Sequence, residues 1–282
     1  MKKVFSLVID HLDKVDYKVW YNTPDIFDLN LWFGADSHQC ELLEEKRRLC
    51  PVPVEIVNIN HKIKDGRDFA HMQDLSFKYM KETYDPDVFI LQSADELLTQ
   101  KGKDFVLDWI DNSEEQFCTL AAMSNKLFCE TFIAPLPFQM FRKGVEYKSN
   151  NGLSDNIRWC NGVNIAENMH HTNLGYSDQE KDNLVIDCGY IDAFACYQKT
   201  KNWGGRLCYH DDFTDELIKL WESGDKEAFI KLFVRKTRAE FHGASDKKIT
   251  PVKYEGEYKK MIDDLGLKDE YDYTVEILKT IE

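Results

Sequence analysis

The chain has 282 residues, of which 43% are hydrophobic and 13% aromatic, so it has enough apolar material for a packed core and is not a disordered protein. Its 36 basic and 50 acidic residues give a formal charge of -14. A negative field repels polyanions, so nucleic acid and acidic membranes are disfavoured as default partners. The cysteines are scattered without a Cys-x-x-Cys pair, which indicates reduced thiols in a cytosolic protein.

The first apolar run, Val4–Ile9, stops at Asp10 and is not followed by a small-residue cleavage site. This pattern predicts a buried strand and not a signal peptide. Later apolar runs are all far shorter than the roughly 18 residues of a membrane span. We therefore expect a cytoplasmic protein without integral membrane association.

The first half of the chain alternates short apolar runs with helical patterns. Strand-helix-strand recurrence at this spacing predicts a largely parallel sheet with helices on both faces. In chain order the predicted elements are strand Val4–Ile9, strand Lys18–Tyr21, helix Ser37–Leu49, strand Val54–Ile59, helix Asp68–Thr83, strand Val88–Leu91, helix Lys101–Asn112 and strand Phe117–Met123.

The second half is less regular. Residues 138–175 read as short strands and Asn-rich polar loops, a composition typical of the wall of a binding site. Helical patterns then return at Thr214–Ser223, Asp225–Glu240, Glu255–Leu265 and Glu270–Ile281. We predict a main domain over residues 1–210 and a helical C-terminal portion over 211–282 that packs on it.

The sequence Ser93-Ala94-Asp95-Glu96 follows directly after the apolar strand that begins at Val88. Open α/β sheets bind ligands just beyond the carboxyl ends of their strands. Carboxylates at this position can hold a hard cation that bridges to phosphate oxygens. The alternative is that Asp95 and Glu96 only begin a turn and a helix.

Two adjacent histidines, His170 and His171, precede Gly175-Tyr176 and a helix cap at Ser177. Neutral imidazole is a common ligand for divalent metals, so His171 is a candidate to share a first shell with a carboxylate. A hydrogen-bonded histidine pair without a metal is the alternative.

These stretches occur in a recognisable order: Ser93-Ala94-Asp95-Glu96, then Met140-Phe141-Arg142, then His171 to Tyr176 with Lys181 beyond. In this order the chain resembles the nucleotide-sugar glycosyltransferases of the GT-A fold, family 2-like branch, over about residues 54 to 185. The resemblance implies a GT-A-like, Rossmann-like mixed sheet with helices on both faces. It also implies that Asp95 ligates Mn²⁺ or Mg²⁺ on the diphosphate of the donor, with His171 as a further ligand. Ser93 stands where the family has the first acid of its Asp-x-Asp motif.

The same resemblance implies contacts to the nucleotide-sugar from Asp10 and Asp36, together with Ser93, Asp95 and Glu96. Asp10 follows the first strand, and Asp36 belongs to a Gly34-Ala-Asp-Ser turn. A strand end and a helix cap are the alternative interpretations of these two residues.

An enzyme of this kind that inverts the sugar needs a carboxylate to accept the proton of the acceptor hydroxyl. Asp155 is our candidate for this catalytic base and Glu146 is the reserve. We expect the acceptor to be bound by a modest basic and aromatic set: Arg142, Lys143, Arg158 and Trp159. Solvated loop acids and a core tryptophan are the alternatives.

The sequence thus predicts a metal-dependent glycosyltransferase that uses a nucleotide-sugar donor and a glycan or small-molecule acceptor. A phage-type enzyme acting on hydroxymethylated DNA is the second choice, because each phosphate contact would need a cation. A nucleotidyltransferase and a non-catalytic sugar-nucleotide binding protein are the further alternatives. The first would show the same sheet and acidic turn, and the second is suggested by Ser93.

Overall fold

The structure is a computed structural model that describes residues 1–9, 12–61, 68–149, 158–160, 163–164, 184–203, 211–242 and 250–281. The strands are β1 (Lys3–Ile9), β2 (Leu29–Gly34), β3 (Glu55–Asn58), β4 (Val88–Ser93), β5 (Glu96–Leu98), β6 (Phe117–Lys126), β7 (Cys129–Arg142), β8 (Tyr147–Ser149), β9 (Arg158–Cys160), β10 (Val163–Asn164) and β11 (Val185–Tyr190). The helices are α1 (Val19–Asn22), α2 (Ser37–Arg47), α3 (Asp68–Thr83), α4 (Gln100–Asn112), α5 (Ala193–Trp203), α6 (Asp211–Glu222), α7 (Lys226–His242), α8 (Gly256–Asp264) and α9 (Lys268–Leu278).

The main sheet has the strand order β3-β2-β1-β4-β7-β6-β11-β5. Strands β1 to β4 are mutually parallel where they pair, and β7 runs antiparallel to β4. A second, smaller sheet pairs β8, β9 and β10 antiparallel. The fold class is therefore α/β with a mixed sheet, as the resemblance implied, rather than the nearly all-parallel sheet that the strand-helix recurrence alone predicts.

Helix α3 covers one face of the sheet. Its Phe77 ring lies edge-on to Phe89 of β4 and Phe141 of β7, at centroid distances of 4.8 and 5.8 Å. Its Met72 packs with Val8 of β1. The strand residues of this face recur at every second position, which is the period that a sheet needs to bury one set of side chains against a helix.

Helices α2 and α4 cover the opposite face, which carries the alternate residues of the same strands. A Cβ atom on Gly34 of β2 would lie 2.7 Å from Cys40 Sγ and 3.3 Å from Leu43 of α2. The guanidinium of Arg142 lies 4.5 Å from the ring of Trp109 on α4. With both faces covered, the central strands β1 and β4 are buried along almost their whole length and are nearly continuous apolar runs, as expected for buried parallel strands.

The described residues divide into two compact units. The first comprises residues 1–13, 17–122 and 134–186, and the second comprises 14–16, 123–133 and 187–282. The core of the second unit joins α5, α6, α7 and α9 to the strand ends around Leu127 and Tyr190. The division by compactness thus places α5 and a β-hairpin segment with the C-terminal helices, whereas the sequence prediction divided the chain at residue 210.

Two elements near the N-terminus differ from the sequence prediction. Residues Lys18–Tyr21 were predicted as a strand, but the structure has a single helical turn, α1, whose Val19 carbonyl accepts a hydrogen bond from Thr23 Oγ1 at 2.8 Å. Strand β2, which the sequence pattern did not indicate, holds its polar residue Asn30 buried. It lies between β1 and β3, so long-range strand pairing and not a local period makes it a strand.

The described cysteines Cys40, Cys50, Cys118, Cys129, Cys188 and Cys196 are free thiols. Burial raises the pKa of Cys118 and of Cys196 well above that of an ordinary thiol. Both side chains are therefore neutral, packed groups rather than reactive nucleophiles. Within the described residues, no helix has the length and apolar character needed to cross a bilayer.

The first turn of α4 supplies a stability prediction. Thr99 caps this helix by accepting the N–H of Gly102, and a Cβ atom on Gly102 would lie 2.1 Å from the Leu184 carbonyl oxygen. Helix propensity alone would make Gly102→Ala stabilising by about 1 kcal/mol. We expect the contact with a backbone atom to dominate and to lower the free energy of unfolding by about 1–3 kcal/mol in urea titration. Lys101→Ala, at the exposed neighbouring position, is the control, and a stabilised Gly102→Ala variant would contradict this packing.

Candidate functional site

The carboxyl ends of β1, β2, β3 and β4 meet along one side of the sheet, which we call the carboxyl edge. The register places Ile9 beside Gly34, Gly34 beside Asn58, and Val8 beside Ser93. In open α/β sheets this edge is where ligands bind. The order β3-β2-β1-β4 brings together loops that are far apart in the chain, since β1 ends at Ile9 and β4 ends at Ser93.

Hydrogen bonds fix the turn that carries Asp95 beyond the end of β4. The N–H of Ser93 donates to the Glu96 carboxylate at 3.1 Å, and Gln92 Nε2 donates to the Glu96 carbonyl oxygen. Glu96 is 6% exposed, whereas Asp95 is partly exposed. The prediction that Glu96 contacts the nucleotide-sugar therefore does not fit the structure, because its carboxylate closes the turn from inside. Instead of starting a helix, Glu96 begins the short strand β5.

Asn22 of α1 supports the same turn from the chain's N-terminal side. Its Nδ2 donates to the carbonyl oxygen of Ala94 at 2.6 Å, and its side chain is buried. This bond holds the residue immediately before Asp95, which makes Asn22 a positioning residue. Sequence analysis could not identify it, because Asn22 lies 72 positions before its partner and α1 itself was not predicted.

Asp36 lies at the carboxyl edge, just after β2. Its Oδ1 accepts the N–H of Gln39 at 2.9 Å and so caps α2, which confirms the helix-cap interpretation. Asp36 is also exposed, so capping leaves its outer surface accessible. Asn58, at the end of β3, donates to Ser37 Oγ at 3.1 Å and ties the two loops together. A contact between Asp36 and a nucleotide stays a prediction.

Two histidines that the sequence analysis did not single out lie beyond the end of β3. The N–H of His61 donates to the Ala35 carbonyl oxygen at 2.7 Å, which places His61 against the loop that follows β2. The ring centroids of His61 and His71 are 4.7 Å apart at an interplanar angle of 66°. The signal that could have found them is their position: His61 is the third residue after a parallel strand, where ligand groups concentrate.

Arg142 and Lys143 lie at the other side of the sheet. Arg142 is paired with Val88 at the amino end of β4, five residues from Ser93, which corresponds to roughly 17 Å of extended strand. The guanidinium of Arg142 donates to the backbone carbonyls of four residues: Trp109, Ile110, Ser113 and Glu115. Lys143 forms an exposed ion pair with Asp85. The predicted acceptor role of Arg142 and Lys143 therefore does not fit a site that contains Asp95.

Glu146 follows the same turn. It is exposed and comes directly after Val145, whose side chain packs in the core cluster with Val4 and Phe89. The preceding turn lies at the amino end of β4, because the N–H of Lys143 donates to the Asp87 carbonyl oxygen at 2.9 Å, so Glu146 follows from the end of the strand opposite to Asp95. This position does not favour Glu146 as the reserve base.

Arg158 and Trp159 belong to β9, where they pair with Ser149 and Lys148 of β8. The structure describes the backbone of these residues but not their side chains. Asp10, Asp155 and His171 lie outside the described residues. Among the predicted site residues, the structure thus brings Asp36, Ser93 and Asp95 together at the carboxyl edge.

The donor set at the carboxyl edge suits a cation that arrives with a phosphate ligand. Among the described residues, no three His, Cys, Asp or Glu side chains are grouped so that they could hold a metal by themselves. Mg²⁺ and similar hard cations bound to substrate phosphates commonly use only one or two protein carboxylates and complete their shell with water. Asp95 alone, held in its turn, fits that requirement, and a fully protein-made metal site does not fit the described residues.

No protein-family model and no curated protein sequence matches the chain. Among solved structures, the inositol-1-phosphate CTP transferase from T. maritima is 12% identical with a TM-score of 0.34, and the match covers 51% of this chain and 71% of that one. Residues 1–349 of S. aureus TarS in complex with UDP are 10% identical with a TM-score of 0.35, over 51% of this chain and 47% of that one. A glycosyltransferase involved in the glycosylation of the major capsid of PBCV-1 is 11% identical with a TM-score of 0.28, over 51% and 60%. Likeness at this level does not indicate which reaction the chain performs.

Proposed function

We propose that the chain transfers a sugar from a nucleotide-sugar donor to the hydroxyl group of a glycan or small-molecule acceptor. One observation carries the proposal: Asp95 stands partly exposed in a turn that three hydrogen bonds hold at the carboxyl edge of four parallel strands. A carboxylate fixed at this position is suited to a cation on the diphosphate of a nucleotide.

The other groups at the carboxyl edge have chemistry that suits a nucleotide. Asp36 is an exposed acceptor for hydroxyl or base N–H groups, and the adjacent imidazole rings of His61 and His71 lie close to the loop that follows β2. Asn22 and Glu96 contribute indirectly by holding the backbone of the Asp95 turn. A bound Mn²⁺ or Mg²⁺ would supply charge neutralisation for the departing diphosphate, with Asp95 and, by the resemblance, His171 as its protein ligands.

In the proposed reaction the acceptor oxygen attacks the anomeric carbon of the donor. The bond from that carbon to the diphosphate oxygen breaks, and the nucleoside diphosphate leaves with the bonding electron pair. The proton of the acceptor hydroxyl passes to the carboxylate of Asp155, which must lie within hydrogen-bond reach of it.

A donor panel tests the proposal. The chain is incubated with Mn²⁺ and each of several uridine, guanosine and thymidine diphosphate sugars, and free nucleoside diphosphate is measured with and without simple sugar acceptors. We expect slow donor hydrolysis with at least one donor, accelerated by its acceptor. Pyrophosphate release from a nucleoside triphosphate and a sugar phosphate would indicate a nucleotidyltransferase instead. Saturable donor binding without any turnover would indicate a binding protein.

The structure bears on the choice of acceptor. The DNA alternative depended on a basic cluster in which Arg142 and Lys143 were the first members, and both lie at the amino end of β4 with their charges engaged. Because these two cations lie away from Asp95, a DNA acceptor is less favoured, and the formal charge of -14 already disfavours it. Transfer to hydroxymethylated duplex DNA that fades as salt is raised would reverse this preference.

The base assignment makes a separate prediction. Asp155→Asn keeps the size of the side chain and removes its basicity, so we expect transfer to fall by a factor on the order of 100 with donor affinity retained. Glu146→Gln should leave transfer close to the parent rate, because Glu146 follows a turn on the other side of the sheet. Steady-state kinetics with the best donor check both. A fully active Asp155→Asn enzyme would remove Asp155 from the mechanism.

A further inference from the structure

Two helices of the second compact unit carry a group of aromatic side chains at its surface. Phe194 and Tyr197 belong to α5 and Trp221 belongs to α6, and we call these three residues the aromatic patch. Phe194 is 49% exposed, and Tyr197 and Trp221 are half-buried. Phenylalanine is among the residue types most often buried in proteins. An exposed phenylalanine beside two further accessible rings therefore differs from a single scattered surface residue.

The core of the unit holds the aromatic patch in a fixed arrangement. Trp221 stacks on Tyr197 with a centroid distance of 5.0 Å and an interplanar angle of 15°. Phe194 lies 6.1 Å from Trp221 at an angle of 36°. Trp221 also meets the fully buried ring of Phe229, on α7, at 5.2 Å and 70°. Because these contacts already order the rings, a ligand that binds them would lose little affinity to side-chain ordering.

Charged groups border the aromatic patch, and we call Lys201 and Glu222 its polar rim. Lys201 Nζ donates to the Tyr197 hydroxyl at 2.9 Å and to Glu222 Oε1 at 2.7 Å. The Tyr197 hydroxyl donates to the same Glu222 oxygen at 3.1 Å. The side chains of Lys201 and Glu222 are 48% and 51% exposed. Hydrogen-bonding groups are thus accessible directly beside the rings.

The polar rim has no net charge. The hydrogen bond with Glu222 raises the pKa of Lys201, and the same bond lowers the pKa of Glu222, so both groups are charged at neutral pH. An anionic ligand would meet the Glu222 carboxylate and the negative field of a chain with a formal charge of -14. A cationic ligand would meet the Lys201 ammonium group. The rim therefore favours a neutral ligand with hydroxyl groups, which accept from an ammonium and donate to a carboxylate.

A pyranose ring has both properties that this surface requires. One face of the sugar consists of C–H groups, whose partial positive charge is attracted to the negative face of an aromatic ring. Its hydroxyl groups project from the edge, where they donate and accept hydrogen bonds. An apolar protein partner would instead bury the charges of the polar rim, and their desolvation would oppose binding.

From this arrangement we infer that the aromatic patch and its polar rim bind a neutral hexopyranose unit of a glycan. Phe194 supplies the most accessible surface for stacking, and Lys201 and Glu222 bind hydroxyl groups of the sugar. Glycan binding at this surface does not depend on sugar transfer. The assignment of this glycan as the acceptor rests on the proposed function.

Glycan binding is tested with the full chain in the absence of any nucleotide-sugar. Neutral oligosaccharides of glucose, galactose, mannose and N-acetylglucosamine are titrated in turn, and binding is followed by tryptophan fluorescence and by calorimetry. We expect at least one of them to bind saturably and to raise the melting temperature, because a ligand of the native state stabilises it. Phe194→Ala should weaken this binding about tenfold or more, the loss typical of truncating an aromatic anchor.

The matched control is Tyr273→Ala, which removes a ring that is 43% exposed on α9 of the same unit, outside the aromatic patch. This variant should bind the oligosaccharide like the parent chain. Glu222→Gln keeps the shape of the side chain and removes its charge, so it should weaken binding several-fold. Lys201→Met removes the other charged group of the rim at an exposed position, and it provides the test if Phe194→Ala does not fold.

Transfer kinetics separate this inference from the proposed function. If a bound oligosaccharide is also an acceptor, Phe194→Ala should raise its KM about tenfold while kcat and the donor KM stay at the parent values. Oligosaccharide binding without transfer from any donor would support the glycan site and contradict the proposed function. The glycan site is overturned if no oligosaccharide of the panel binds, or if Phe194→Ala and Tyr273→Ala bind equally well. It is also overturned if Phe194→Ala converts a dimer of the parent chain into monomers in sedimentation, since a second copy then covers the aromatic patch.

Discussion

Replacement of Asp95 by Asn is expected to lower sugar transfer by about 100- to 1000-fold, the range typical for removal of one group that stabilises charge in a transition state. The substitution keeps the shape of the side chain and removes its charge. Hydrogen bonds from the Asn22 and Gln92 amides and between the Ser93 N–H and the Glu96 carboxylate hold the turn, and the substitution leaves all of them in place. The melting temperature should therefore change little. Initial rates over a Mn²⁺ series would also show a higher requirement for the cation.

Asp85→Asn is the matched control for this prediction. It is the same substitution just before the amino end of β4, where Asp85 pairs with Lys143 at the surface. Its transfer rate should equal that of the parent chain. A parent-like rate and an unchanged Mn²⁺ response in Asp95→Asn would show that the carboxyl edge is not the donor site, even if the chain is a glycosyltransferase.

Replacement of Arg142 by Met is expected to lower the free energy of unfolding by about 2–4 kcal/mol, which is large for a residue that is only partly buried. Four backbone carbonyl oxygens around the end of α4 accept hydrogen bonds from this guanidinium, at 2.6 to 3.2 Å. Those oxygens would lose a charged donor, and the contact with the Trp109 ring would also be lost. Urea titration at neutral pH measures the change.

Lys143→Met is the control, because it removes the adjacent cation from an exposed ion pair that contributes little to folding. Arg142→Lys should not restore stability, because one ammonium group cannot donate to all four carbonyl oxygens that the planar guanidinium of Arg142 reaches. At temperatures where Arg142→Met is folded, its transfer rate should match the parent rate. A stable Arg142→Met variant with impaired transfer would contradict this prediction and support a role for Arg142 in binding the acceptor.

The elements that the sequence predicted correctly are those whose pattern is local. Helix α3 is found over Asp68–Thr83 as predicted, because apolar residues at helical spacing lie between a polar loop and the break at Asp85-Pro86. Strand β4 was predicted because a continuous apolar run between two acidic turns is typical of a buried parallel strand. The position of Asp95 at the end of that strand followed from the same pattern.

Two side chains that the sequence analysis assigned to binding are engaged with backbone groups of the chain. Arg142 and Glu96 were assigned to binding because cations and acids near a predicted site are chemically suitable for it. Their actual partners are the end of α4, about 30 residues away, and the turn's own N–H group. A single sequence carries no information on which carbonyl or N–H group a long polar side chain will reach.

The sequence by itself determined the α/β class, the main helices and the placement of Asp95 beyond a buried strand, because hydrophobic periodicity is a property of neighbouring residues. The tertiary structure decided the rest. The strand-helix pattern predicted a largely parallel sheet, but the sheet is mixed because β7 pairs antiparallel with β4. It also separated Asp95 from Arg142 across the length of one strand and brought Asn22 to the Asp95 turn. These outcomes depend on pairing between segments far apart in the chain, and that pairing is selected by burial of the whole core rather than by any local pattern.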